Sequence, residues 1–407
     1  MTGVSSSKRA SIVLAYGCPR SKLEVSRLYR YLERNGWSLT GVGKADIVFV
    51  SCCAVTDDTE RKSLEMLRYI GRTMRSEGRL IMLGCMAGIS RDNILEHLPV
   101  TLVPSKQISA LDEIIDATIP LDEIDEYGDN TDLIRNAQRT ISPWKRLMAE
   151  KNGKKLNWLF HVFREYGINY FGFANTPYLL RVANGCLDTC SYCAIRFASG
   201  ELVSKPLDKV VEEMSCALDD GYTRIKLVGQ DVGAFGQDIG TDFVRLLDAL
   251  LEQEGDYTLI MNDLNMRWCV KYRDYLLPMF CKHADKFEII GIPVQSGSDA
   301  VLGAMNRQYS AEESLDFFKQ LKQLVPDVHL SSHVIVGFPG EAESDFARTL
   351  TFISEAQLDS VLVYAYSDRP HTEASTLPGK IDRSIIHERI KRLKSVCKAN
   401  RLQYRVG

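Results

Sequence analysis

The chain has 407 residues, of which 45 % are apolar and 25 % charged, a composition typical of a folded protein with two or three domains. Its 50 basic and 53 acidic residues give a formal net charge of −3, which excludes an overall basic field for nucleic acid. No apolar run approaches the roughly 18 residues of a membrane helix, and the N-terminal sequence lacks the apolar core of a signal peptide. We therefore expect a cytoplasmic protein that does not enter a membrane.

The first 130 residues alternate strand and helix patterns and are predicted to form one domain. Apolar runs predict strands at 11–16, 46–50 and 80–83, and amphipathic patterns predict helices over 22–35 and 56–75. This alternation favours an open parallel sheet covered by helices. Cys18, Cys53 and Cys85 each follow a predicted strand. Because the carboxyl ends of parallel strands share one edge, we expect these thiols at a common site.

A change in charge pattern marks the next segment, a predicted linker over 131–177. Residues 107–134 carry nine acidic residues and no Lys or Arg, whereas 135–164 carry eight basic residues and one acid. Seven aromatic residues follow within 158–173. We interpret the segment either as a solvated linker with a helix docked by its apolar face or as a basic, aromatic surface that helps to hold a substrate.

From residue 178 to 407 the strand and helix patterns resume. Six strands are predicted, at 178–183, 224–228, 257–261, 287–294, 329–336 and 360–366. Helices are predicted between them, at 207–219, 243–252, 311–324 and 343–356. The fold class is therefore α/β, with an N-terminal open parallel domain followed by a partial (β/α)6 TIM-like barrel.

Cysteines carry the strongest chemical signal. The chain has 11 cysteines. Because the sequence shows no secretion signal, we do not expect them to form disulfides. Cys186, Cys190 and Cys193 lie on one short loop after the first predicted barrel strand. Thiolates are the ligands of iron–sulfur clusters, and three of them on a four-iron cluster leave one iron open. The alternative is a zinc site with a distant fourth ligand.

This C-x3-C-x2-C loop, with Tyr192 before its last cysteine, resembles that of the radical S-adenosylmethionine (SAM) enzymes. In that family the open iron binds SAM, which an electron from the reduced cluster cleaves to a 5′-deoxyadenosyl radical. The resemblance makes Cys186, Cys190 and Cys193 the ligands of a 4Fe-4S cluster. It also places Tyr192 against the adenine of SAM.

Three further motifs resemble those of the radical SAM methylthiotransferases of the MiaB/RimO type. They are Gly17-Cys18-Pro19-Arg20, Ser51-Cys52-Cys53-Ala54 and Gly84-Cys85-Met86-Ala87. The resemblance implies that Cys18, Cys53 and Cys85 hold a second, auxiliary 4Fe-4S cluster, which faces the first across the rim. Cys52 stands where the family usually has Thr and is either filler or an alternative ligand. The remaining cysteines are expected to be buried small hydrophobes, namely Cys216, Cys269, Cys281 and Cys397.

Motifs in the second domain follow the family order and suggest SAM contacts. They are Leu227 to Val232, Ile292 to Ser298, Met305 to Tyr309, Ile335 to Glu341 and Tyr366 to Arg369. The resemblance places Gly229 and Gln230 near the aminoacyl group of SAM and gives Gln295 and Ser296 a cofactor role. Arg369 and Glu341 would pair with SAM or with each other. Each of these residues could instead make turn or core contacts, and Asp231 could cap the next element.

The function implied is insertion of a methylthio group at an unactivated C–H bond, with SAM and two 4Fe-4S clusters as cofactors. Cys18-Pro19-Arg20 looks more like the protein-modifying branch, whose motif reads Cys-Pro-Lys. Typical members continue into a C-terminal TRAM domain, which we expect to be lacking here because the sequence ends at Gly407. We therefore favour a peptide or protein residue of the aspartate β-carbon type, such as one in a natural-product precursor, over a tRNA adenosine derivative.

The expected partners are a low-potential electron donor of the flavodoxin or ferredoxin type and a sulfur donor, besides the substrate. Two other readings remain open. The first is a radical SAM enzyme that catalyses a different reaction, either methylation or the insertion of sulfur without a methyl group. A non-catalytic scaffold would fill the thiol sites with zinc.

Overall fold

The computed structural model of the chain describes residues 8–15, 18–126 and 177–406. The chain divides into two compact units, Met1–Leu179 with Phe197–Gly200 and Leu180–Arg196 with Glu201–Gly407. Apart from residue 177, the predicted linker over 131–177 lies outside the described residues. Its helix, its basic aromatic surface and the boundaries drawn around it therefore stay predictions.

A five-stranded sheet forms the centre of the first unit. Its strands are β1 Arg9–Leu14, β2 Ser38–Leu39, β3 Ile47–Ser51, β4 Arg79–Leu83 and β5 Thr101–Val103. They lie in the order β2-β1-β3-β4-β5, and every pairing is parallel. The helices are α1 Pro19–Arg34, α2 Asp57–Thr73, α3 Cys85–Ile89, α4 Arg91–His97 and α5 Leu111–Ile115, with short 3-10 turns at Val42–Lys44, Ser105–Ala110 and Leu121–Glu123.

Local sequence explains these elements. Strand β3 is buried along its whole length, as expected for a parallel strand covered on both faces. Helix α2 begins at a capping box in which the Thr56 hydroxyl accepts from the Thr59 backbone N–H at 3.3 Å. Three acidic residues in its first turn favour the positive end of the helix. The strand-end positions of the cysteines are thus fixed by well-packed neighbours.

A seven-stranded sheet organises the second unit. Its strands are β6 Tyr178–Arg181, β9 Arg224–Val228, β10 Thr258–Met261, β11 Phe287–Gly291, β12 His329–Val336, β13 Ser360–Ala365 and β14 Gln403–Val406. The order is β14-β13-β12-β11-β10-β9-β6, with parallel pairing from β9 to β14. Strands β7 Ala183–Asn184 and β8 Val203–Ser204 form a separate antiparallel pair.

Helices follow most of these strands. They are α6 Ile195–Ser199, α7 Leu207–Asp219, α8 Phe243–Leu251, α9 Met266–Lys271, α10 Arg273–Lys282, α11 Asp299–Ala304, α12 Ala311–Leu324, α13 Glu343–Glu355, α14 Glu373–Thr376 and α15 Arg383–Ala399, with 3-10 turns at Val232–Ala234 and Ala284–Lys286. The α/β class and the parallel sheets confirm the predicted fold class. Within the described ranges, no helix has both the length and the apolarity to cross a membrane.

Two details differ from the sequence-based expectation. The strand predicted over 287–294 ends at Gly291, and Pro293 explains the interruption because proline has no N–H for the ladder. A seventh strand, β14, pairs with β13 at the sheet edge after helix α15. Its four residues show no clear alternation of apolar and polar side chains, so the sequence pattern gave no signal for it.

Candidate metal centres

Cys18, Cys53 and Cys85 follow three neighbouring strands of the first sheet. Strands β1, β3 and β4 are adjacent in the sheet order, and the three cysteines lie at or just beyond their carboxyl ends. Cys18 caps helix α1, and its Sγ accepts a hydrogen bond from the Ser21 N–H at 3.4 Å. Cys85 is the first residue of helix α3, reached through Gly84 at a φ of 89° that favours glycine.

Electrostatics place these three thiols near one another. Burial raises the pKa of Cys53, and the charge of Cys18 raises it further. Burial likewise raises the pKa of Cys85, where the charges of Cys18 and Cys53 act in the same direction. The Arg20 guanidinium opposes both shifts. A cation therefore lies within electrostatic reach of thiols that must ionise to bind metal.

The cysteines outside the two triads divide into two groups. Cys52 is only 4 % exposed, and burial raises its pKa, which favours the filler role over the alternative ligand role. Cys269 and Cys397 are buried as expected. Cys216 and Cys281 are exposed, so the expectation of burial is wrong for them. Both lie at exposed positions of helices, Cys216 on α7 and Cys281 on α10.

The second triad lies on the loop that follows β7. Cys186 and Cys193 are half-buried, while Cys190 is only 6 % exposed. The backbone N–H of Cys193 donates to the Cys190 carbonyl at 3.1 Å, which closes a tight turn between two of the three thiols. Burial raises the pKa of Cys186 to about 12, and the nearby charges of Asp231, Asp188 and Cys193 add to the shift.

Distant segments of the second unit hold this loop in place. The Ser191 N–H donates to the Met305 carbonyl at 3.1 Å, and the Ser191 hydroxyl donates to the Ala304 carbonyl at 2.7 Å. The Asn306 amide donates to the Thr189 carbonyl at 3.1 Å. The Met305-Asn306-Arg307 motif is therefore a support for the cysteine loop.

Arg307 makes the most direct contact with the triad. Its guanidinium donates to Cys190 Sγ at 3.2 Å and to Asn265 Oδ1 at 2.8 Å. Asp188, between the first two cysteines, pairs with Arg267 and accepts from the Asn265 amide. Sequence reasoning missed the Arg307 contact, because Arg307 and Cys190 are 117 residues apart.

The hydrogen bonds of the Asp231 carboxylate indicate a structural role. One carboxylate oxygen accepts from the Gly233 and Asn265 N–H groups at 3.1 and 3.2 Å, and the other accepts from Trp268 Nε1 at 2.7 Å. Burial raises the pKa of Asp231 to about 6. The side chain caps the 3-10 turn Val232–Ala234, which was the alternative reading of this position.

Three of the predicted SAM contacts lie beside the second triad or at a strand end. Tyr192 precedes Cys193 in the sequence, and Gly229 and Gln230 follow strand β9. Tyr192 is half-buried and packs against the apolar cluster that contains Met305 and Phe338. A Cβ at Gly229 would meet only ordinary contacts, the nearest at 3.5 Å, so packing does not require glycine there. Gln230 Oε1 is buried with no hydrogen-bond partner among the described residues.

The other predicted SAM contacts differ in whether their polar side-chain atoms form hydrogen bonds with described residues. Gln295 has a φ of 70°, and its Oε1 is buried without a hydrogen-bond partner in the described part of the chain. Ser296 is fully buried, with its hydroxyl 3.2 Å from that of Thr349. Arg369 is buried and donates to the Asp368 carbonyl at 2.7 Å. Buried Gln oxygens without partners are the groups in this set best suited to a ligand donor.

The buried carboxylate of Glu341 forms its ion pair with Arg389. Glu341 accepts from Arg389 at 2.7 Å and from the Gly337 N–H at 2.8 Å. The family resemblance predicts that Glu341 pairs with Arg369 or SAM. Helix α15 brings Arg389 to this carboxylate, and nothing local in the sequence connects two residues 48 positions apart.

The chemistry of the two donor sets suits iron–sulfur clusters, whose usual ligands are thiolates. Nowhere in residues 8–15, 18–126 and 177–406 do three His, Cys, Asp or Glu side chains meet in positions to bind one ion. Zinc needs its ligands around a single atom, whereas each cysteine of a 4Fe-4S cluster binds a separate iron. Two sets of three cysteines are the chemistry that such clusters require.

Comparison with known proteins gives the same picture. Residues 180–353 match the Radical SAM superfamily, and residues 11–104 match the uncharacterized protein family UPF0004. A probable threonylcarbamoyladenosine tRNA methylthiotransferase from Pyrococcus abyssi is 31 % identical over 92 % of this chain and 82 % of its own length. The chain belongs to the radical SAM methylthiotransferase family. Membership identifies it as an enzyme and implies SAM and two 4Fe-4S clusters as cofactors, so the reading as a zinc scaffold is not supported.

Other relatives of this methylthiotransferase agree. The threonylcarbamoyladenosine tRNA methylthiotransferase MtaB of Thermotoga maritima is 28 % identical over 96 % of this chain and 82 % of its own length. A tRNA-2-methylthio-N(6)-dimethylallyladenosine synthase of Fusobacterium nucleatum is 27 % identical over 96 % and 83 %. These alignments leave the expected lack of a TRAM domain as a prediction.

Solved structures support the fold alone. The radical SAM methyltransferase TsrM from Kitasatospora setae, solved with cobalamin and a 4Fe-4S cluster, has a TM-score of 0.54 and 12 % identity. The match covers 91 % of this chain and 77 % of that one.

Proposed function

We propose that this enzyme transfers a methylthio group to a modified adenosine of tRNA, with threonylcarbamoyladenosine as the favoured nucleoside. One observation carries the proposal: relatives aligned over more than nine-tenths of this chain are named for that tRNA nucleoside. The relatives described above are all tRNA enzymes, so they do not support the preference for a peptide drawn from Cys18-Pro19-Arg20.

In this proposal Cys186, Cys190 and Cys193 hold the cluster that binds SAM. That cluster, when bound, supplies the electron that cleaves SAM to a radical able to abstract hydrogen from carbon. A segment that is distant in sequence holds this loop in place. Ser191 donates to the Ala304 and Met305 carbonyls, and Asn306 donates to the Thr189 carbonyl. The partnerless oxygens of Gln230 and Gln295 are suited to accept from the amino group of SAM. Tyr192, Gly229, Ser296 and Arg369 complete the proposed SAM contacts.

Cys18, Cys53 and Cys85 are proposed to hold the auxiliary cluster, which carries the sulfur. Their placement at the ends of three adjacent strands supports a shared site. Arg20 provides a nearby positive charge that favours ionised thiols. The chain's own contribution is thus a set of preorganised sulfur ligands in each unit. An electron donor of the flavodoxin or ferredoxin type and a sulfur donor are proposed as partners.

A stripe of cations on helix α15 supports an RNA substrate despite the acidic net charge. Lys391, Lys394, Lys398 and Arg401 recur at intervals of three and four residues, so they lie along one side of the helix and its end. Lys394 lies over the Tyr404 ring at 5.9 Å. None of the four forms an ion pair with a described residue, so their charges are available to phosphates.

The direct test supplies the reconstituted enzyme, SAM and a reductant with three substrates in parallel. They are tRNA bearing threonylcarbamoyladenosine, tRNA bearing dimethylallyladenosine, and a candidate peptide. We expect nucleoside mass spectrometry to find a methylthio group on the first tRNA. SAM cleavage with no methylthio product on either tRNA would contradict the proposal, and product on the peptide alone would restore the peptide reading.

Charge reversal tests the RNA surface separately. Lys391→Glu with Lys398→Glu should weaken tRNA binding. The loss of two phosphate contacts should reduce the slope of log K against log salt by about 0.7–0.9 for each contact. Lys319→Glu is the matched control, because Lys319 already pairs with Glu355 at 2.8 Å on the same unit. Equal affinities and salt slopes in the double variant and the control would remove this surface from the proposal.

A further inference from the structure

Arg307 is a buried cation that touches a proposed cluster ligand. Its side chain is 6 % exposed, and its guanidinium donates to Cys190 Sγ at 3.2 Å. An arginine guanidinium does not lose its proton in proteins, so this contact brings a permanent positive charge to the sulfur.

Three further contacts fix the direction of the guanidinium. It donates to Asn265 Oδ1 at 2.8 Å, to the Pro293 carbonyl at 3.3 Å and to the Tyr309 hydroxyl at 2.8 Å. The Tyr309 hydroxyl in turn donates to the Val294 carbonyl at 3.0 Å. With its donors engaged on several sides, Arg307 cannot turn away from Cys190 without breaking buried hydrogen bonds.

The surrounding carboxylate does not cancel this charge. Asp188 lies 3.9 Å from Arg307, but it also forms an ion pair with Arg267. Its second oxygen accepts from the Asn265 amide. Two guanidinium groups therefore share Asp188. The other carboxylate that acts on Arg307, the buried Asp231, is held by three N–H donors of other residues rather than by a hydrogen bond from Arg307.

We propose that Arg307 is a positioning residue that favours the reduced state of the cluster held by Cys186, Cys190 and Cys193. The inference rests on that proposed cluster site. In the reduction, one electron from a low-potential donor of the flavodoxin or ferredoxin type enters the oxidised cluster, and no bond forms or breaks. The added negative charge is stabilised by a fixed cation and by a hydrogen bond to a ligand sulfur, and both raise the reduction potential.

The test is an EPR-monitored redox titration of the reconstituted full-length enzyme. The signal that changes when SAM is added identifies the cluster of the second unit. Arg307→Gln keeps a polar side chain without the charge, and we expect the equilibrium constant for reduction to fall about tenfold, which is about 59 mV for one electron. Arg307→Lys keeps the charge and should lie closer to the wild type.

Arg273→Gln is the matched control, because Arg273 of helix α10 forms its ion pair with Asp316 of helix α12 rather than with a residue of the cysteine loop. Its potential should equal that of the wild type. If Arg307→Gln binds its full complement of iron and its potential equals the wild-type value, the inference is wrong. If the wild type binds no iron at Cys186, Cys190 and Cys193, the proposed site fails, and this inference fails with it.

A second measurement does not depend on a variant folding. Enzyme labelled with 15N in arginine should show a weak nitrogen coupling to the reduced cluster in pulsed EPR, and Arg307→Lys should lose it. Absence of the coupling in the labelled wild type would overturn the inference even if Arg307→Gln cannot be reconstituted. A coupling that persists in Arg307→Lys would assign the contact to another arginine and would equally overturn it.

Discussion

Asp231 shows how a single buried carboxylate can organise the residues behind the proposed cluster site. Its two oxygens accept three hydrogen bonds, including one from Trp268 Nε1 at 2.7 Å. Asn in its place would turn an N–H donor toward one of these donors. We expect Asp231→Asn to lower the free energy of unfolding by about 1–3 kcal/mol, measured by urea denaturation.

The pKa of Asp231 predicts how this difference depends on pH. Burial raises the pKa to about 6, so between about pH 4 and pH 6 the folded state holds a proton that the unfolded state has lost. The contribution of Asp231 to stability is therefore largest at low pH and is lost as the pH rises through 6. The stability advantage of the wild type over Asp231→Asn should shrink between pH 5 and pH 7, and a constant difference would contradict the raised pKa.

Gly229 and Gly297 predict losses of different size on replacement by alanine. A Cβ at Gly229 meets nothing closer than 3.5 Å, whereas one at Gly297 would lie 2.8 Å from the Arg348 carbonyl oxygen, Thr349 Cα and Phe352 Cβ. Gly297→Ala should destabilise the fold by about 1–3 kcal/mol, and Gly229→Ala by less. Glycine is needed at position 297 because the backbone there closely approaches helix α13.

The same pair of variants tests a SAM contact. If backbone at Gly229 approaches SAM, Gly229→Ala should weaken SAM binding by equilibrium dialysis while lowering thermal stability less than Gly297→Ala does. Unchanged affinity for SAM would remove Gly229 from the proposed binding residues.

At the scale of elements, a buried ion pair fastens helix α15 to the loop that follows β12. Arg389 and Glu341 are almost fully buried and lie 2.7 Å apart. Arg389→Met leaves the carboxylate without its cation, so we expect a loss of about 3–5 kcal/mol in the free energy of unfolding. The double variant with Glu341→Gln should recover part of this loss, because no buried charge then remains.

The control for this cycle is Arg392→Met, also on helix α15, which breaks an exposed pair with Glu343 of helix α13. That change should alter stability by about 0–1 kcal/mol. Additive losses in the Arg389→Met and Glu341→Gln cycle, measured by urea denaturation, would show that the two side chains do not stabilise each other.

Elements with strong periodicity were predictable. Helices over 207–219 and 311–324 lie where their amphipathic patterns place them. Strand β14 and the early end of β11 were missed, because a short edge strand and a strand interrupted by Pro293 depend on neighbouring chain segments. Local pattern therefore fixes most helices and central strands, and tertiary pairing decides the edges.

At the scale of the whole molecule, the cysteine motifs were predictable and their supports were not. Spacing alone singles out Cys186, Cys190 and Cys193, and strand ends single out Cys18, Cys53 and Cys85. The Arg307 contact with Cys190 and the Glu341 pair with Arg389 join residues 117 and 48 positions apart. Such contacts follow from how strands are ordered in the sheet, which no short sequence window contains.

Iron analysis after anaerobic reconstitution tests the central claim, that each unit holds its own cluster, most directly. The wild type should bind about eight irons per chain, and replacing Cys18, Cys53 and Cys85 with alanine should leave about four. That variant should still cleave SAM but form no methylthio product. About four irons in both proteins, or SAM cleavage lost with the first triad, would contradict the account.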